Sequence, residues 1–119
     1  MEKDKEFNRR FMSTEQFNLE FTNKLESSLQ VSSIVGNLYT GSLYMGFRSA
    51  LEFEYKKGRD LAGVRVGFAS YGSGASAMVF SGLIQEEYKD VVKNLDISKE
   101  IGARRKLSIE EYSELHNEK

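Results

Sequence analysis

The spacing of apolar positions changes along the chain, and each change marks an element. Phe17, Phe21, Leu25 and Leu29 recur every four residues between polar positions, the period of a helix with one apolar stripe. Ser13-x-x-Gln16 ahead of them reads as a capping box. A first helix is therefore predicted from about residue 14 to 29, with its stripe packed in the core. A second is predicted from Ser42 to Lys57. Leu43, Phe47, Ala50, Leu51 and Glu54 fall near one face, and Tyr44, Met45 and Phe53 widen it, so this helix should be largely buried. Gly58 is its natural stop, with Lys56 and Lys57 in the last turn.

Beyond Gly63 the period becomes two. Val64, Val66 and Phe68 alternate with Arg65, Gly67 and Ala69, as a strand should. Ala75 to Ile84 reads as a second strand. Its run Met78-Val79-Phe80 does not alternate, which predicts burial on both faces and a place in the middle of a larger sheet. Gln85 to Asn94 reads as a surface helix, with Tyr88, Val91, Val92 and Leu95 at helical spacing. Ser108-x-x-Glu111 is a second capping box, opening a final helix to about His116. Residues 1–6 are charged and mixed in sign and should be frayed, with Phe7 and Phe11 on one face of a short helix. The folded part is thus placed at 14–119 and an N-terminal segment at 1–13.

Two stretches fit neither period. Gly36-Asn37-Leu38-Tyr39-Thr40-Gly41-Ser42 lies just before the second helix, and Ser70-Tyr71-Gly72-Ser73-Gly74 lies between the two strands. Glycine lets a ligand approach the main chain, and Asn, Tyr and Ser place donors and acceptors beside it. The helix start at Ser42 should also point unpaired N–H groups toward the Asn37 loop. Read by themselves, these are equally a structural turn before a helix and a flexible hairpin turn.

Composition narrows the picture. The chain has 119 residues, 39% hydrophobic and 29% charged, with a formal net charge of −1. That suits one globular unit and gives no pull toward nucleic acid or an anionic membrane. No apolar run is long enough to span a bilayer. There is no Cys, which removes disulfides, thiolate metal sites and thiol nucleophiles together, and a cytoplasmic setting is the default expectation. Lys99, Arg104, Arg105 and Lys106 form a basic run, ordinarily a solvated one; contact with a ligand phosphate or a neighbouring subunit is the competing reading. His116, the one His in the chain, lies in a polar tail and is not placed as a catalytic base.

The two glycine-rich stretches also carry a resemblance. Val35-Gly36-Asn37-Leu38-Tyr39-Thr40-Gly41-Ser42 resembles the Gly-Asn-x-Tyr-Thr-x-Ser segment of hydroxymethylglutaryl-CoA (HMG-CoA) synthases. Val66-Gly67-Phe68-Ala69-Ser70-Tyr71-Gly72-Ser73-Gly74 is similar to that family's Gly-x-Phe-Ser-Tyr-Gly-Ser-Gly segment, with Ala69 where Phe is usual. Leu107-Ser108-Ile109-Glu110-Glu111-Tyr112 resembles a helix start near the family's C-terminal end. The likeness covers about residues 14–115, corresponding to the last third or so of a full family member. It implies an α/β fold, the closing part of a thiolase-type layered α/β/α/β/α architecture, here as helix, helix, strand, strand and helical tail.

The resemblance implies condensation of acetyl-CoA with acetoacetyl-CoA through a Cys nucleophile, with a Glu and a His assisting. No cofactor is implied; CoA thioesters are the substrates. Asn37 would contact the acyl or ketone oxygen, Ser73 would lie at the bound acyl group, and Tyr39 and Tyr71 would wall the pocket. The departures are the missing Cys, a sole His outside the family's position, and the missing Glu. The chain is therefore expected to supply a substrate-binding wall with no catalytic residue and no metal site, and to be inactive alone. Its expected partners are the two thioesters and a complementary N-terminal chain or further copies of itself. A non-catalytic module binding an acyl-CoA or another thiolase-fold protein is the alternative. A ketoacyl-synthase relative also carries a Gly-Asn turn, but Tyr39-Thr40 and Tyr71-Gly72-Ser73 argue against it. The motifs are compatible with the mevalonate route to isoprenoids and with β-branching in polyketide assembly.

Overall fold

The computed structural model of the protein describes residues 2–117. Met1, Glu118 and Lys119, which belong to the expected segments 1–13 and 14–119, lie outside the described residues. Helical segments α1 (Glu2–Met12), α2 (Glu15–Phe21), α3 (Ser27–Leu29) and α4 (Ser32–Val35) precede the longest helix, α5 (Gly41–Lys56). An antiparallel hairpin of β1 (Arg65–Gly72) and β2 (Ser76–Leu83) follows, then α6 (Tyr88–Val92), α7 (Ile97–Gly102) and α8 (Ile109–Asn117). The stretch expected to be frayed is helical from Glu2, in α1, and from Lys3 onward its residues are exposed.

The first capping box is corrected by one residue. Thr14 Oγ1 accepts the Phe17 N–H at 3.2 Å, while the Ser13 hydroxyl donates back to the Arg10 carbonyl. Ser13 still belongs to the end of α1, so the cap falls to its neighbour. The helix expected over 14–29 exists, but a π-helical turn, Thr22–Glu26, interrupts it. An inserted residue rotates the downstream turns by roughly 100°. Beyond it Ser27 and Val31 face inward and Leu29 is turned out; Phe21, ahead of the turn, and Leu25, within it, were also expected in the core and are exposed.

α5 is the element to which the others are fixed, and its contacts divide by face. Toward α3, Ser49 is fully buried; its hydroxyl donates to the Ser27 carbonyl at 2.6 Å and accepts the Val31 N–H at 3.4 Å. The Ser27 hydroxyl in turn donates to Glu54 Oε1. A Cβ on Gly46 would stand 3.3 Å from the Ser28 carbonyl oxygen, so the close approach of these helices depends on that glycine. The buried residues of α5 are thus Ser49, Glu52 and Glu54, where an apolar interior was expected; its large apolar side chains are partly covered or exposed. The C-terminal end behaves as expected. Gly58 takes φ +76°, its N–H bonds the Tyr55 carbonyl, and the Arg59 N–H reaches back to Glu54, which is a Schellman stop.

On a second face, Phe47 and Leu51 pack with Val66 and Ala62 against Leu61, Ile84, Tyr88 and Val92. An apolar groove of about 360 Å³ runs between these residues and the base of the hairpin. The Tyr88 hydroxyl accepts the Leu61 N–H at 3.0 Å and donates to Asp60 Oδ1 at 3.3 Å. α6 is therefore shorter than the surface helix expected over 85–94, and two of its residues belong to the core.

On the third face, α7 is fastened by polar contacts. Glu52, 1% exposed, accepts the Ile97 N–H at 2.7 Å and the Arg48 Nε–H at 2.6 Å. Arg48 also makes a two-pronged contact with Glu100, at 2.9 and 2.5 Å, and Lys56 reaches Asp96 at 3.0 Å. α8 opens on the expected capping box: the Ser108 N–H donates to Glu111 Oε2 at 2.8 Å, and the Glu111 N–H to Ser108 Oγ at 3.2 Å.

β2 departs most from expectation. Every residue of it is exposed, and among the described residues the sheet has only two strands. The Val66 and Phe68 side packs toward α5; on the opposite side Tyr71, Val79 and Leu83 are exposed, and the apolar run of β2 is left uncovered among the described residues. The whole molecule shares this openness. Its accessible surface is 9889 Å², where a compact monomer of this mass would show about 6600 Å². Its radius of gyration is 18.2 Å, against about 13.5 Å for a compact chain of this length.

Candidate acyl-pocket loops

The two glycine-rich stretches lie at the same end of the fold. The Phe47 ring meets the Phe68 ring edge-on with centroids 5.1 Å apart. One helical turn later, Leu51 packs beside Val66 on the shared cluster. α5 therefore runs antiparallel to β1. From Phe47 back to Gly41 the helix extends about 9 Å, and from Phe68 on to Gly72 the strand extends about 13 Å in the same direction. The Asn37 loop and the hairpin tip both project from that end.

The Asn37 loop is closed by its own hydrogen bonds. Asn37 Oδ1 accepts the Tyr39 N–H at 2.8 Å and lies 3.4 Å from the Ser42 hydroxyl. Ser42 Oγ accepts the Leu38 N–H at 2.8 Å. Gly36 takes φ +81° and Tyr39 takes φ +52°; for Tyr39 this is the left-handed region, costing about 1–2 kcal/mol. The loop geometry over-determines it, and the Tyr39 side chain stands 86% exposed. One expectation is corrected here. The first N–H groups of α5 are not free, because Gly41 donates to the Leu38 carbonyl and Ser42 to the Tyr39 carbonyl, both at 3.0 Å.

The second stretch is less of a loop than its sequence suggests. Ser70, Tyr71 and Gly72 belong to β1, pairing with Met78, Ala77 and Ser76. The turn is Ser73-Gly74-Ala75, with Gly74 at φ +83° and Ala75 at φ +59°. Ser73 sits exposed at this tip. Tyr71, 79% exposed, lies on the sheet face opposite Phe68. The structure thus brings Asn37, Tyr39 and Ser42 together. Among the described residues, no hydrogen bond joins them to Ser73 or Tyr71.

Charge around α5 is paired. Burial pushes the Glu54 carboxyl up, but the Ser27 hydroxyl, Lys57 and Arg59 outweigh it and hold the group below its ordinary value. Arg48 holds Glu100 below the usual carboxylate range, and the Arg48 guanidinium is itself raised, chiefly by Glu100 and also by Glu52. The basic run is partly engaged: Arg105 Nη1 contacts Glu111 at 2.6 Å and Arg104 Nε donates to the Ile101 carbonyl. The His116 ring stacks on Tyr112 in α8, and His116 is exposed. Sequence reasoning missed Ser42 and the set Arg48, Glu52 and Glu100. The Arg48-x-x-x-Glu52 spacing signals the first pair; nothing in the sequence links either to Glu100.

The fold is an α/β unit with two small-residue turns, one before its longest helix and one at the tip of its hairpin. The chain matches the family described as Hydroxymethylglutaryl-coenzyme A synthase C terminal over residues 2–119. It is 34% identical over 105 residues to hydroxymethylglutaryl-CoA synthase of Haloferax volcanii, covering 88% of this chain and 24% of that protein. It is 36% identical over 106 residues to the mitochondrial hydroxymethylglutaryl-CoA synthase of Bos taurus, covering 83% and 20%. Among solved structures, one titled MvaS in complex with 3-hydroxy-3-methylglutaryl coenzyme A matches at a TM-score of 0.69 and 34% identity, covering 83% of this chain and 23% of that one. The chain belongs to the hydroxymethylglutaryl-CoA synthase family, and to its C-terminal part. It spans about a quarter or less of the length of these relatives. No helix among the described residues is long and apolar enough to cross a membrane.

Proposed function

We propose that this chain forms one wall of the acyl pocket of an HMG-CoA synthase, an acyltransferase that condenses acetyl-CoA with acetoacetyl-CoA, and that it acts when completed by a polypeptide carrying the rest of the fold. The observation that supports this reading is the projection of the Asn37 loop and the Ser73 turn from one end of a unit whose second strand stands exposed along its length. The Asn37 amide donates to the ketone or acyl oxygen, and the main chain at Ser73 lies against the acyl group. Donors held in place where negative charge develops on oxygen lower the barrier to carbon–carbon bond formation. Tyr39 and Tyr71 stand at the rim. The nucleophilic Cys, the His that polarises the ketone and the Glu that assists deprotonation come from the completing polypeptide, so this chain alone is inactive. The setting is cytoplasmic.

The excess surface supports the need for a partner. It amounts to about 3300 Å² over a compact monomer, the scale of an obligate interface. The test is to purify the chain natively from its source cell and assay the preparation for HMG-CoA from the two thioesters. Activity that tracks a co-purifying Cys- and His-bearing polypeptide supports the reading. Acetoacetyl-CoA binding without turnover or partner would favour the acyl-CoA-binding module instead. No thioester binding in any preparation would sink both.

A further inference from the structure

We infer that Ser49 is a positioning residue: its hydroxyl stands inside the main-chain ladder between Ser27 and Val31, breaks the helix there, and so sets where α4 and the Asn37 loop begin. For its effect on rate the inference rests on the function proposed above. In a continuous helix the Ser27 carbonyl would accept the Val31 N–H directly. Here the Ser49 hydroxyl takes both partners. It donates to the Ser27 carbonyl at 2.6 Å and accepts the Val31 N–H at 3.4 Å. α3 stops at Leu29, and α4 starts anew at Ser32.

The break has no local cause. Gln30 (φ −53°, ψ −49°) and Val31 (φ −76°, ψ −40°) both keep right-handed helical dihedrals. The chain has no Pro, and no Gly precedes Gly36. The π-helical turn has already ended at Glu26. The remaining common cause of a helix bend is a side chain inserted into the ladder, and Ser49 is that side chain. Ser49 is fully buried and Val31 is 1% exposed, so bulk water does not compete for these groups. Gly46, one turn earlier on α5, admits the Ser28 carbonyl and brings α3 within reach of the hydroxyl.

The consequence falls on the Asn37 loop. Beyond the break the Val31 carbonyl accepts the Val35 N–H at 2.9 Å, and the Ser32 carbonyl accepts the Gly36 N–H at 3.0 Å, so α4 is a single closed turn. Leu38 then donates to Ser42 Oγ at 2.8 Å. Ser42 and Ser49 lie on one face of α5, about two turns apart. They hold the Leu38 and Val31 ends of this segment, so Asn37 is carried between two pins on one helix. Without the Ser49 hydroxyl the ladder closes, the Val31 end follows α3, and Asn37 leaves the position from which it addresses the substrate oxygen.

NMR on the whole 119-residue chain reads the wedge without a ligand. Scalar coupling across a hydrogen bond from the Val31 nitrogen to the Ser27 carbonyl carbon should be absent in wild type and present in Ser49→Ala. Residual dipolar couplings should show α4 turned by more than about 20° relative to α5 in the variant, with the thermal midpoint within about 5 °C of wild type. Glu52→Ala, which loosens α5 on its α7 side, is the comparator; it should lower the midpoint and leave α4 in place. In the natively purified preparation assayed for condensation, Ser49→Ala should lower kcat about 100-fold, as a displacement of about 1 Å can, and Glu52→Ala should not. A Val31–Ser27 coupling in wild type would overturn the inference. So would an α4 that keeps its orientation in Ser49→Ala, or an unchanged kcat. A ladder that closes in Ser49→Ala, in a protein whose wild type shows no condensation, would leave the wedge in place and remove the proposed function.

Discussion

The Phe47 and Phe68 rings meet edge-on at 5.1 Å, and Phe68 stacks in turn on Phe80 of the paired strand, at 4.8 Å. This aromatic run fixes α5 against the hairpin and so fixes the Asn37 loop relative to the Ser73 tip. Phe68→Ala should cost about 3 kcal/mol of stability, the usual figure for truncating a packed Phe. The urea midpoint measures it. Phe68→Leu, which keeps most of the volume, should recover more than half of the loss.

The buried end of Glu52 makes a different prediction. Glu52→Ala would leave the Ile97 N–H without its partner and remove one of the two carboxylates on Arg48. Leaving the buried Ile97 donor unpaired and Arg48 with Glu100 alone should cost about 3 kcal/mol. Amide exchange should localise the effect to residues 97–103. Glu52→Gln can still accept the Ile97 N–H and should cost less. Equal losses in both would show that charge, not the cap on α7, is what matters.

Acid should loosen the molecule in a defined direction. Glu54 and Glu100 have folded-state pKa values below the ordinary Glu value of 4.5. A group depressed in this way stabilises the fold above its unfolded value, and the contribution is lost as pH falls through the folded one. Stability should thus be flat from pH 7 to about 5 and decline below about 4.5. Comparing urea midpoints across that range tests this. Glu54→Gln should be less stable at pH 7 and should show a shallower decline in acid.

Tyr39 allows its ring to be separated from its backbone. Its positive φ is strained for Tyr and easy for glycine. Tyr39→Gly should keep the thermal midpoint within about 2 °C of wild type while weakening acetoacetyl-CoA binding if the ring lines the pocket. Unchanged affinity would remove Tyr39 from the site.

Local features of this fold are legible in the sequence. The Gly58 stop, the Ser108 and Glu111 box and the switch of period at Val64 each depend on neighbours a few residues away, and each lies where the pattern places it. The two motifs also point to the family. Burial is not legible in the same way. The apolar run Met78-Val79-Phe80 and the stripe Phe21, Leu25 and Leu29 read as core, yet all are exposed in this chain. A hydrophobic pattern reports the cover a segment is suited to receive, and among the described residues nothing supplies it to these. The polar interior of α5 escapes sequence reading for the opposite reason. Glu52 and Glu54 look like solvated positions until Ile97, Arg48, Ser27 and Arg59 arrive from other parts of the chain. The one-residue error at Thr14 and the π-helical turn at Thr22–Glu26, which turns Leu29 out, are shifts of register that the four-residue spacing does not signal.

The most direct measurement is condensation activity of the completed enzyme with and without the Asn37 amide. The natively purified chain, alone and with any Cys-bearing polypeptide that co-purifies with it, is assayed for HMG-CoA from acetyl-CoA and acetoacetyl-CoA, then again with Asn37→Ala. The account predicts no turnover by the chain alone, turnover by the pair, and a fall of about 100- to 1000-fold in kcat for the variant, as for other lost oxyanion donors. Full activity of the Asn37→Ala pair, or turnover by the chain with no partner, would contradict it.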